Sequence, residues 1–223
     1  MKMRDYEKIE TYMLECIRDS AHDREHIYRV LYTALDIAES EPSTDYEILT
    51  AACLLHDIGR PEQFAYPKLC HAEVGSKKAY DFLIGIGWSE ERAVHVRDCV
   101  YTHRFRSENP PQSIEAKILF DADKIDVSGA MGMARSLMYK GAVAEPLYTL
   151  NTDGTINDGS DTDEPSFFRE YHFKLKNIYG KFFTKRGQEI ALGRQKTAED
   201  FYNALLAEVK SAEKRGRELL QLI

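Results

Sequence analysis

Apolar residues recur along most of this chain at spacings of three and four, the period of one face of a helix. From Asp23 to Glu39 the set Ile27, Val30, Leu31, Ala34, Leu35 and Ala38 marks such a face. Asp45 to Asp57 is nearly all apolar, which predicts a helix buried on every side. Ala72 to Ile84 returns to the amphipathic pattern through Val74, Ala79, Phe82 and Leu83. Ser89 offers an N-cap, and Glu90 and Glu91 complement the dipole of a helix reaching His103. Pro110 and Pro111 force a break before a helix over Ile114 to Ile125, and another follows from Gly129 to Tyr139. Helical periodicity resumes at Phe167 to Tyr179 and at Gly187 to Leu220.

One stretch departs from this pattern. Two β-prone triplets flank Asp153-Gly154, so residues 147–156 predict a small β-hairpin. Asn157 to Glu164 follows as a polar, acidic loop expected to be mobile. No internal repeat interrupts the pattern. The expected architecture is all-α with one minor hairpin. It forms a single domain over residues 1–223, with the acidic loop 151–165 and the C-terminal helices 167–220 packed on it.

Composition narrows the class. At 223 residues, with 43% hydrophobic and 30% charged, the chain suits a globular protein able to bury a full core. The uncharged run Ile48 to His56 falls far short of the roughly 18 apolar residues a membrane helix needs. The N-terminal residues carry no apolar core for a signal peptide, so the expected location is cytoplasmic. Cys16, Cys53, Cys70 and Cys99 are scattered, which argues against a zinc ribbon or a disulfide scaffold. The net charge of −7 is uneven: Glu145 to Glu164 holds six acids and no base, and the segment after Pro165 has 12 Lys/Arg against 7 Asp/Glu. That basic tail is too dilute for the concentrated face of a nucleic-acid binder.

The doublet His56-Asp57 changes the picture most. It closes the run Leu49 to Leu55, precedes Ile58-Gly59-Arg60, and delivers an imidazole and a carboxylate at the end of a buried helix. A charge there is costly unless neutralised, and a divalent cation is the most economical partner. On a helix the two side chains diverge by about 100°, so both reach an ion lying between their directions. His26 upstream and Asp121 or Asp123 downstream can complete the set. Asp123 lies three residues after Phe120 and four after Leu119, on the side that should face the core. Two imidazoles and two carboxylates suit a transition metal better than Ca²⁺, which prefers oxygen alone. Taken singly each residue has a plainer reading: His56 as a hydrogen-bonded core histidine, Asp121 as a partner of backbone or of a nearby imidazole. Residues 151–154 faintly suggest a calcium loop, but the terminal glutamate it requires is missing.

The motifs His22-Asp23-x-x-His26-x-x-Arg29-Val30, Leu54-Leu55-His56-Asp57-Ile58-Gly59 and Asp121-Ala122-Asp123-Lys124-Ile125-Asp126 together resemble the HD-domain superfamily of metal-dependent hydrolases. Residues 129–135 and 167–191 look like a bacterial subgroup of small HD phosphohydrolases, so the resemblance spans most of the chain outside the acidic loop. It implies an HD-type helical bundle with His26, His56, Asp57 and Asp123 as ligands. His71 and His103 resemble the further ligands of HD proteins that hold two metals, with Asp57 bridging. Their plainer readings are a helix-start residue and a cation meeting a helix C-terminus. His22 reads as a cap or a residue supporting the ligands, Asp23 as the N-cap of the helix bearing His26, and His95 and His172 as a solvated face and a packing residue.

The resemblance further implies a phosphohydrolase acting on a small phosphorylated substrate, with a nucleotide expected. Arg29, Arg60, Arg104 and Lys124 are the substrate-binding candidates, with Arg106 nearby, because a ring of cations suits phosphate and arginine binds it bidentately. Asp57, able to take a proton from the attacking water, and Lys124 are the catalytic candidates. The cofactor is one or two divalent ions, and Mn, Fe, Ni, Zn and Co all satisfy these ligands. Two other functions stay open: a di-iron oxygenase, which His71 and His103 would permit, and a nucleotide-sensing module without turnover. The acidic loop and long terminal helix leave room for partner contact or a homodimer.

Overall fold

The computed structural model describes residues 3–17, 24–104 and 109–222. His22, Asp23 and Arg106 lie outside them. The described residues form ten α-helices and no extended sheet, so the chain is all-α. It divides into two compact units, Met1–Asp126 with Phe182–Gln188, and Val127–Lys181 with Glu189–Ile223. Among the described residues no helix is long and apolar enough to cross a membrane.

The first unit contains α1 (Met3–Cys16), α2 (Arg24–Ala38), α3 (Tyr46–Leu55), α4 (Arg60–Ala65), α5 (His71–Gly85), α6 (Glu90–Thr102) and α7 (Ile114–Ile125). Its axis is α3, whose residues Ile48, Leu49 and Ala51 to Leu55 are all buried. Helices α1, α2, α5, α6 and α7 each pack against it, which explains why its sequence is apolar on every side. Asp45 caps its start, Oδ1 accepting from the amides of Glu47 at 2.9 Å and Ile48 at 3.1 Å.

The helix ends at Leu55, so His56 and Asp57 stand in the turn that follows rather than inside the expected Asp45–Asp57 helix. That turn presses against the start of α5. A Cβ added at Gly59 would lie 2.3 Å from the His71 carbonyl oxygen and 2.6 Å from the Gly75 nitrogen. Only a residue without a side chain allows that approach, which carries Asp57 toward His71.

Two helices escape the periodicity reading. In α1 the buried Ile9 and Met13 sit among charged residues. The six-residue α4, with Pro61 in its first turn, buries none of its residues, so it has no apolar stripe to read.

The second unit contains α8 (Gly129–Ala142), α9 (Phe167–Phe173), a 3₁₀ turn at Leu175–Asn177, and most of α10 (Lys185–Leu220). The expected Phe167–Tyr179 helix breaks at Lys174, whose φ of −125° leaves the helical region. The expected hairpin shrinks to one antiparallel bridge, Leu150 with Ile156. Leu150 is exposed, so the paired segment lacks the apolar face that would extend it.

The acidic loop is tied down at several backbone positions. Tyr202 donates its hydroxyl to the Asp158 carbonyl at 2.5 Å, and Arg169 Nε donates to the Thr162 carbonyl at 2.9 Å. Gly159, at φ +84°, lies so close to the backbone of Phe168 and Arg169 that a Cβ there would be 2.2 Å from the Phe168 carbonyl carbon. Backbone anchoring of this kind leaves no trace in local charge or polarity.

Candidate metal centre

The first unit brings six of the expected residues together in two adjacent groups. His26, His56 and Asp123 form one, and Asp57, His71 and His103 the other. They come from α2, the turn after α3, the first residue of α5, the C-cap of α6, and α7. All are buried except Asp123, whose side chain is 28% exposed.

The orientation of the imidazoles is informative. Nδ1 of His56 lies 2.8 Å from the Cys53 carbonyl oxygen, and Nδ1 of His103 lies 2.6 Å from that of Val100. Nδ1 of His26 meets Asp126 Oδ2 at 2.8 Å, and Nδ1 of His71 meets Gln63 Oε1 at 2.8 Å. Each of these oxygens can only accept, so each ring carries its proton on Nδ1 and presents a lone pair at Nε2. Those lone pairs point at one another: His26 and His56 Nε2 are 3.3 Å apart, as are His71 and His103 Nε2.

Asp57 lies between the groups with its oxygens divided. Oδ2 is 3.7 Å from His26 Nε2 and 3.8 Å from His56 Nε2, whereas Oδ1 is 3.6 Å from both His71 and His103 Nε2. Oδ2 is buried and accepts no hydrogen bond among the described residues. Asp123 Oδ1 closes the first group, 3.3 Å from His26 Nε2 and 3.8 Å from His56 Nε2. Converging lone pairs with no proton between them are repulsive in a buried site, and a cation resolves the repulsion. The nitrogen-rich donor set therefore fits a divalent transition metal in each group.

Protonation at neutral pH agrees with ligation. Burial pushes the His56 imidazole down to about 4, against the opposing pull of Asp57 and Asp123. Burial also pushes His71 down to about 2, with Arg60 adding to the shift and Asp57 resisting it. For Asp57 burial acts upward, but Arg60 and the imidazoles of His56 and His103 outweigh it and hold the carboxyl well below its usual range. Asp123 is likewise lowered: burial raises it, and the neighbouring His26 imidazole outweighs that effect. Neutral imidazoles at His56 and His71 beside ionised carboxylates are forms that bind metal.

Asp121 lies elsewhere. Its carboxylate is buried and accepts from the amides of Phe183 (2.9 Å) and Thr184 (2.7 Å) and from the Thr184 hydroxyl (2.7 Å). It holds residues 182–188 against α7, while Asp123 reaches the imidazoles.

The basic candidates occupy distinct positions. Arg29 donates from Nε and Nη2 to Asp126 at 2.7 and 3.1 Å. Arg60 Nε donates to Asp57 Oδ1 at 2.9 Å. Lys124 Nζ sits 4.0 Å above the Phe120 ring, and Arg104 Nη1 lies 3.8 Å from the Cys70 sulfur. An open groove of about 370 Å³ bordered by Tyr12 and Phe82 lies elsewhere in this unit, and none of the candidate residues lines it.

Sequence reasoning missed two residues, Asp126 and Gln63, which fix the rings of His26 and His71. Asp126 is 100 positions from His26, so no local spacing reports the pair. Gln63 is eight residues from His71, across a turn that shows no periodicity.

A helical bundle built around a buried axial helix, with histidines and aspartates gathered where that helix ends, defines a class of metal-centred domain. The chain belongs to the HD domain family, whose model matches residues 24–128, a span containing every candidate site residue. YpgQ of Bacillus subtilis, described as an uncharacterized protein, is 30% identical over 219 residues, covering 96% of this chain and 94% of YpgQ. A crystal structure of YpgQ in complex with ADP matches with a TM-score of 0.72 at 26% identity, covering 92% of this chain and 97% of that one. A Bacillus thuringiensis structure described as an HD-superfamily hydrolase matches with a TM-score of 0.71 at 26% identity, covering 93% and 98%.

Proposed function

We propose that this protein is a divalent-metal-dependent phosphohydrolase acting on a nucleotide, with a centre able to hold two ions. The observation that carries the reading is the paired convergence of four Nε2 lone pairs around one carboxylate whose two oxygens serve opposite groups. His26, His56, Asp123 and Asp57 Oδ2 would hold one ion, and His71, His103 and Asp57 Oδ1 the other. Bound there, a divalent cation supplies Lewis acidity, making water nucleophilic near neutral pH and neutralising a phosphoryl oxygen.

The chain's own groups do the rest. Asp126, Gln63 and the carbonyls of Cys53 and Val100 keep the four rings in their ligating tautomer. Asp57 is the acceptor we assign to the water's proton, and Lys124 the cation beside the phosphoryl group. Arg29, Arg60 and Arg104 complete the positive rim, which favours an anionic substrate. The ADP in the YpgQ structure supports a nucleotide as that substrate.

Elemental analysis of the purified protein, combined with a phosphate-release screen across nucleotides, tests this reading. His56→Ala and Asp57→Ala should each lose metal and activity while keeping the helical spectrum, and full activity in either variant would refute the assignment. The same six donors would also suit two iron ions in an oxygenase. Phosphate release under anaerobic conditions favours hydrolysis, whereas an optical signature that changes on exposure to air favours oxygen chemistry.

A further inference from the structure

The two groups of donors differ in charge. On one side, two imidazoles are joined by Asp123 Oδ1 and by Asp57 Oδ2, which accepts no hydrogen bond among the described residues. On the other, among the described residues two imidazoles share Asp57 Oδ1 alone, and that oxygen already accepts from Arg60 Nε at 2.9 Å. A fixed positive charge therefore lies on Asp57 Oδ1, the anionic atom that faces His71 and His103 among the described residues. A cation entering there meets repulsion from the guanidinium and competition for the oxygen lone pairs.

The supporting contacts are graded in the same sense. His26 Nδ1 leans on the Asp126 carboxylate, which strengthens the ring as a donor, whereas His71 Nδ1 leans on the neutral amide of Gln63. That amide oxygen also faces Arg60 Nη1 at 3.4 Å.

Resting on the two-ion reading above, we propose that the His71–His103 group binds an exchangeable divalent cation in competition with the Arg60 guanidinium, whereas the His26–His56–Asp123 group retains its ion. Arg60 thus acts as a built-in counter-ion that sets the concentration at which the second metal enters.

The test is a titration of chelator-stripped full-length protein with Mn²⁺ alone, following free Mn²⁺ by electron paramagnetic resonance and bound metal by elemental analysis. The wild type should take a first ion at least about tenfold more tightly than a second. Arg60→Met should tighten the second step by about tenfold or more and leave the first unchanged. Arg60→Gln, which keeps a donor but no charge, should do the same, and circular dichroism of both variants checks folding. His103→Ala should remove the weaker step alone. Two Mn²⁺ ions with the same affinity ratio in wild type, Arg60→Met and Arg60→Gln would overturn the role of Arg60 and leave the two-ion centre standing. A single ion at every concentration in wild type and both variants would overturn this inference together with the two-ion reading.

Discussion

Asp126 shows how one side chain can orient a candidate metal ligand from behind. Its Oδ2 meets His26 Nδ1 at 2.8 Å while Arg29 holds both of its oxygens. A charged partner behind an imidazole raises the ring's basicity and fixes its tautomer. Asp126→Asn keeps the shape but removes the charge, so affinity for Mn²⁺ should fall by about 10- to 100-fold, measured by titration. An unchanged dissociation constant would make Asp126 a partner of Arg29 alone. Protonation of the rings has a second consequence. His56 titrates near 4 and His71 near 2 in the fold, against 6.5 for a solvated imidazole. The unfolded chain therefore binds protons more readily, and acid favours unfolding. For the metal-free protein, the stability these groups contribute is complete above pH 6.5 and declines as pH falls toward 4, with His71 extending the loss further. Thermal melts of chelated protein between pH 7 and 4.5 should show that decline, and a flat profile would contradict it.

Among the elements, α7 divides its acidic residues between two tasks. Asp123 points to His26 and His56, and Asp121 points to the segment 182–188. Two residues apart on a helix, side chains diverge by about 200°, so the two cannot serve the same target. Asp121→Ala would leave the amides of Phe183 and Thr184 without their acceptor, at a cost of about 1–3 kcal/mol for each buried donor. Denaturant melts should register that loss while metal content stays at the wild-type level. Asp123→Ala should do the reverse, losing metal with little loss of stability in the metal-free state. Equal metal loss in both variants would assign Asp121 to the centre as well. The turn between α3 and α5 works similarly, since Gly59 permits the backbone contact that brings His71 beside Asp57.

At the scale of the whole molecule, the first unit contains all six candidate ligands, drawn from five places along about 100 residues of chain. A ligand that binds the native state alone stabilises it in proportion to the logarithm of its concentration over its dissociation constant. Mn²⁺ at about a hundred times that constant should therefore raise stability by about 2.7 kcal/mol, read as a higher melting temperature. Because His56 belongs to the tighter group, the shift should shrink in His56→Ala to what the His71–His103 group supplies. A shift of full wild-type size there would argue against His56 as a ligand.

Much of this was legible along the chain, and the exceptions share a cause. Apolar periodicity located α2, α3 and α5, because each buries apolar residues and burial is written in residue type, while cap and proline signals placed α6 and α7. It passed over α4, which buries nothing, and ran too far at α9, whose break at Lys174 follows from backbone conformation rather than composition. The residues of the candidate centre stood out because histidine and aspartate beside an apolar run are costly unless neutralised. Their partners did not, since Asp126, Gln63 and the Cys53 and Val100 carbonyls are ordinary groups until folding aims them. Sequence alone marked most of the helices and the histidines and aspartates that are candidates for metal binding, because propensity and burial act locally. Tertiary structure decided which carboxylate of α7 meets the imidazoles, how the oxygens of Asp57 divide, and where Arg60 places its charge, because those outcomes depend on distances between segments far apart in the chain.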